Sequence, residues 1–136
     1  MIIEKKDSWK IFAEEGEDFY NAVVKGQNNK KIFTPTILYS LSYLAIQKYA
    51  MAFLIYNKTM PDIRSLKSTL DEVKKIIEIP NQLYNSVIFL DEFQEICVMD
   101  NYSRKIPDED DIPLIIDALT EIKDFVLEKI PDFREF

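Results

Sequence analysis

The chain has no histidine, one cysteine and two glycines in 136 residues. Without histidine it lacks the side chain that most often moves protons at neutral pH and most often ligates transition metals. One cysteine cannot build a structural zinc site. Nor can Cys97 form an internal disulfide, which suits a reducing compartment. With no imidazole to activate it, Cys97 is expected to be a small core residue. Gly16 and Gly26 stand alone, so there is no glycine-rich phosphate loop, and GxSxG, HExxH and CxxC patterns are all missing. So few glycines favour helices over a turn-rich sheet.

Basic charge is also scarce. Lysine and arginine total 17 against 24 acids, giving a net charge of −7 and a pI near 4.7. Sequence-independent nucleic-acid binding needs a basic footprint. The global charge opposes it, so only a local patch would serve. Hydrophobic residues at 47% and charged residues at 30% are ordinary for a globular chain and argue against disorder. The length fits one domain, residues 1–136, with a core that needs no staples. The start, MIIEKKDSWK, has no long apolar run of the secretory kind, so a cytoplasmic location is expected.

What the chain does have is one long apolar stretch, Thr36 to Tyr56, TILYSLSYLAIQKYAMAFLIY. As a helix it would span about 30 Å. It is apolar almost all round, which predicts a helix enclosed by its neighbours. A membrane span has similar length. Gln47 and Lys48 near the middle argue against it, since a central lysine costs about 3 kcal/mol on the insertion scale.

Around this helix the periodicity predicts four others. Trp9, Phe12, Ala13, Gly16, Phe19, Tyr20, Val23 and Val24 make an amphipathic first helix ending near Gly26. Thr34-Pro35 supplies cap and first residue for the central helix. Asp62 or Ser65 caps a third helix with Leu66, Leu70, Val73 and Ile77 inward, an Asp71–Lys75 surface pair, and Pro80 as its stop. Asn81 caps a fourth, with Leu83, Val87, Leu90, Phe93, Ile96 and Cys97 inward. The fifth follows the acidic run Asp108 to Asp111, tolerates Pro113 in its first turn, and buries Ile115, Leu119, Ile122, Val126 and Ile130. The expected fold class is all-α, an up-down antiparallel bundle of about five helices.

Few residues invite a chemical role. Four consecutive acids at 108–111 point in different directions and lack EF-hand spacing, so helix capping is favoured over a cation site. Asp91, Glu92 and Glu95 read as a solvated face, although paired carboxylates can do acid–base work when buried. Lys48 snorkels to a rim, or faces a groove or partner and pairs there with a carboxylate or phosphate. Asn101, Tyr102, Arg104 and Lys105 form a polar cluster in which arginine can grip phosphate and tyrosine can stack on a base. A solvated loop would look the same. Neither metal nor cofactor is expected.

Three segments resemble the HEPN family of small helical bundles. SWKIFAEEGEDFYNA is similar to that family's first helix, and SYLAIQKYAMAFLIYNKTMPDIRSL to its second helix and following turn. NYSRKIPDEDD is similar to the loop before its last helix. The resemblance implies a dimerising four- or five-helix bundle. Active members are metal-independent ribonucleases using an R-x4–6-H motif at the dimer cleft; others bind nucleotide or RNA, often beside a nucleotidyltransferase in toxin–antitoxin pairs. Here the motif fails: six residues after Arg104 stands Asp110, and Arg64 occupies the place of the histidine after the second helix. Ribonuclease activity is therefore not expected. What the resemblance implies instead is a non-catalytic homodimer binding nucleotide or nucleic acid through Arg104, Lys105, Tyr102, Asn101, Arg64 and Lys48. Two other functions fit the residues. One is a protein-interaction module, antitoxin-like, whose acidic balance suits a basic partner and whose mark would be an exposed apolar patch. The other is an enzyme using converging carboxylates.

Overall fold

The computed structural model describes residues 8–59, 65–93 and 106–130. Within them the chain is all-helical, a bundle of five helices with no strand: α1 (Ser8–Gly26), α2 (Pro35–Tyr56), α3 (Leu66–Lys74), α4 (Asn81–Ile88) and α5 (Ile112–Lys129). A 3-10 segment, Phe89–Phe93, continues α4, and another, Glu109–Asp111, leads into α5. None of the described helices is long and apolar enough to cross a membrane.

The two long helices form an antiparallel pair. Trp9 meets Tyr56 edge-to-face at 5.4 Å, Gly16 lies against the Tyr49 ring, and Gly26 lies against Phe33. The glycines permit this approach: a Cβ on Gly16 would sit 3.1 Å from the Tyr49 ring, and one on Gly26 only 2.4 Å from Phe33. α2 also packs on α5 and α3, so it is the hub of the bundle.

Capping follows the sequence closely at α2. Thr34 Oγ1 accepts from the Ile37 amide at 3.3 Å, and Pro35 takes the first helical position. At the other end Lys58, with φ of 61°, occupies the left-handed position usually held by glycine. Its amide donates to the Ile55 carbonyl and that of Thr59 to the Leu54 carbonyl, a Schellman closure.

Several expectations need correction. α2 is enclosed only in its second half, from Tyr49 to Leu54; on the first half Ile37 and Leu44 are about two-fifths exposed. α3 stops at Lys74, well short of Pro80. Lys75 is the C-cap residue, still with helical φ of −70° and ψ of −21°, and pairs with Glu72 at 3.1 Å in place of Asp71. Asp71 instead takes Lys67, four residues earlier, at 3.0 Å. Asn81 is the first residue of α4, and Pro80 holds the cap position without a side-chain bond. The α4 helix tightens to 3-10 at Phe89; Ile96 and Cys97 lie outside the described residues.

Candidate functional site

Of the six residues proposed for nucleotide or nucleic acid, only Lys48 falls within the described chain. Asn101, Tyr102, Arg104, Lys105 and Arg64 lie outside it, as does Glu95. Lys48 leaves the apolar helix at the α1 seam. Its Nζ is 3.6 Å from Glu15 Oε1 and 5.2 Å from the centre of the Phe12 ring. The stem is covered and the ammonium meets a carboxylate of its own chain, so the helix carries its mid-point charge without burying it unpaired.

A second polar cluster lies on the same seam. Tyr49, fully buried, donates to Glu17 Oε1. Lys123 from α5 sits 3.8 Å from the same oxygen and 4.1 Å above the Tyr20 ring. Burial, then the hydrogen bond and charge of Glu17, push the Tyr49 hydroxyl well above the usual tyrosine range. Tyr49 is therefore a donor held in place, unsuited to serve as a base near neutrality. The cluster joins α1, α2 and α5.

Asp91, expected on a solvated face, is a structural residue. Its Oδ1 accepts from the Leu66 amide at 3.0 Å and from Tyr43 Oη at 3.1 Å, and its Oδ2 from the Lys67 amide at 2.9 Å. Ser65 and Ser68 complete the start of α3: each side-chain oxygen accepts the other's amide at 3.0 Å. All four orphan donors of this helix end are thus satisfied. The carboxylate also lies at the positive end of the helix dipole. Burial and the charge of Asp91 push the Tyr43 hydroxyl upward. No sequence pattern announces this arrangement, because the two amides are 24 and 25 residues from Asp91 and the tyrosine is 48 away.

The acidic run behaves as a cap. Asp108 Oδ1 accepts from the Asp110 amide at 2.9 Å, and Asp111 Oδ2 accepts from the Asp108 amide at 3.1 Å. Among the described residues no group of three or more metal-ligating side chains converges.

One open groove of about 380 Å³ runs between the end of α3 and the start of α4. Its cations are engaged: Lys74 lies 4.2 Å above the Tyr84 ring, and Lys75 pairs with Glu72. Tyr84 in turn donates to Asp71 at 2.7 Å, and that bond, ahead of Lys67, holds the Asp71 carboxyl below its ordinary range. The groove thus offers no free cation, among the described residues, to an anionic ligand.

The outer face of α5 differs from everything above. Residues 106–130 carry eight carboxylates against Lys123 and Lys129, whereas residues 8–59 carry six lysines against four carboxylates. Asp117, Glu121, Asp124 and Glu128 are exposed at i, i+4, i+7 and i+11 spacing. Among the described residues none of them makes an ion pair: Lys123 turns to Glu17, and Lys129 lies over Phe125 at 5.5 Å. Like charges at i, i+4 cost a helix about 0.2–0.5 kcal/mol per pair. At the head of this face stands Leu114, 57% exposed, and just upstream Ile106, 72% exposed. Lys30 reaches Glu109 at 3.4 Å and ties the α1–α2 turn, with Ile32 at 63% exposure, to the same end of the bundle.

No family model, curated protein or solved structure matches the chain.

Proposed function

We propose that this protein is a non-catalytic interaction module that binds a basic protein partner. The observation that carries this is the outer face of α5: aligned carboxylates that make no ion pair among the described residues, beginning at an exposed apolar end. Exposed charges without an ion-pair partner among the described residues suit steering and recognition of an opposite charge. Four carboxylates elsewhere in the bundle contrast with these. Asp91 and Glu17 accept hydrogen bonds that join helices, and Asp108 and Asp111 cap one. The HEPN resemblance supports a second proposal, a nucleotide or RNA ligand in a homodimer cleft formed with Arg104, Lys105, Tyr102 and Arg64. A nucleotidyltransferase-like protein is one partner the resemblance would supply.

A thermal-shift screen at low and high salt separates the two. A ligand that binds only the native state raises the melting temperature. Lysine-rich peptides are expected to raise it at low salt, with the effect fading at high salt. A rise with nucleotides or RNA oligomers and none with peptides would overturn the protein-partner proposal. Arg104→Ala with Lys105→Ala would then be expected to remove that rise.

A further inference from the structure

The docking surface can be defined more closely, on the basis of the protein-partner proposal. We infer that Leu114, Asp117, Glu121, Asp124 and Glu128 on α5, with Ile106 and Ile32 at the apolar end, form a groove-free docking face for a basic amphipathic helix of a partner protein.

Three observations fix that occupant. The face is linear: Leu114 to Glu128 lies along one side of a helix and covers about 21 Å. A partner helix laid along it can present lysine or arginine at the same period, matching each carboxylate in turn. The face is divided along its length, with large exposed apolar side chains at one end and acids along the rest. A matching segment needs apolar residues at one end and cations along the remainder, which is an amphipathic pattern with a direction. Finally, the charge rules out other occupants. A second copy of the chain would bring the same carboxylates against themselves, and a nucleic acid would bring phosphates. Apolar contact gives such a helix its hold, and the four charges give it register and speed of encounter.

The test uses the full chain and a 15-residue synthetic helix with leucines at one end and four lysines at the period of the α5 acids. A peptide of the same composition in scrambled order serves as control, and affinities are read by fluorescence anisotropy at two salt concentrations. The ordered peptide is expected to bind about tenfold more tightly than the scrambled one. Glu121→Lys with Glu128→Lys should weaken it by about tenfold or more. Leu114→Ser should reduce the preference for the ordered peptide while leaving salt-dependent binding. These side chains are exposed, so circular dichroism should be unchanged in each variant, which separates lost docking from lost folding. Equal binding of ordered and scrambled peptides would overturn the docking face, as would undiminished binding to the charge-reversed variant. In both cases binding to cationic protein would survive as the broader function. No binding of either peptide by the unaltered chain would overturn the face and the broader function together.

Discussion

At the junction of α2, α3 and the 3-10 segment, one carboxylate takes three hydrogen bonds; on the outer face of α5, four carboxylates take none among the described residues. The difference lies in what faces each group. Asp91 points at the start of a helix, where amides have lost their partners and a nearby hydroxyl seeks an acceptor. The α5 acids point at water, beside lysines that have turned elsewhere. A carboxylate in the first setting is part of the fold. One in the second is available to something outside it. Substitutions should therefore move stability strongly at Asp91 and hardly at all on α5.

The largest effect is expected at Asp91. Asp91→Ala leaves two amides and the Tyr43 hydroxyl without their acceptor, at a cost of about 3 kcal/mol in urea denaturation. Asp91→Asn keeps one acceptor oxygen and should lose roughly half as much. If Asp91→Ala were as stable as the unaltered protein, the separation between fold carboxylates and free ones would collapse.

Tyr49 is the next most sensitive position. Tyr49→Phe removes the donor to Glu17, which is partly solvated and keeps Lys123, so the expected loss is about 1–2 kcal/mol. The same residue gives a pH signature. Its folded hydroxyl is held above its unfolded value, chiefly by burial. The stabilisation is thus fully present below about pH 10 and is lost as the pH rises beyond it. Tyr49→Phe should unfold less steeply between about pH 10 and 11 than the unaltered protein, by thermal melts across that range. An identical alkaline slope in both would show that Tyr49 is not the group responsible.

Ser42 sharpens the comparison from inside. Its hydroxyl is fully buried in α2 and has no hydrogen-bond partner among the described residues. An unmatched buried hydroxyl costs free energy, and alanine is also the better helix former. Ser42→Ala should therefore stabilise by about 1 kcal/mol, a rise of about 4 °C in melting temperature. A fall would mean that the hydroxyl contributes through packing.

The helices were legible where their signals are local. Thr34-Pro35, Ser65 and the 3.6-residue stripes place α1, α2, α3 and α5 from neighbouring residues alone. The site was much less so. The Asp91 cap joins segments distant in sequence, and its i, i+4 relation to Glu95 pointed to a surface pair instead. The Asp71 partner was missed because Lys67 and Lys75 are equally spaced from it, and Lys75 takes Glu72 instead. Lys48 was conspicuous in the sequence, but whether it meets a ligand or Glu15 depends on α1, which periodicity alone does not orient. The α5 face was visible as acids at helical spacing. That its lysines are committed to Glu17 and Phe125 is a tertiary fact.

The smallest stability effect, and the sharpest contrast with Asp91, is expected at Glu121. It stands four residues after Asp117 and three before Asp124, so it feels both as like charges. Glu121→Lys turns those repulsions into favourable pairs, with the acid N-terminal to lysine at i, i+4, the better order. The folded state should gain about 0.5 kcal/mol at low salt, a gain that added salt screens away. A residue kept for the fold would not be improved by reversing its charge, whereas one kept for a partner can be. Chemical denaturation at two salt concentrations measures the gain. A loss of stability there would place Glu121 with Asp91 among the acids that hold the bundle together, and would remove the physical basis for calling the α5 face free.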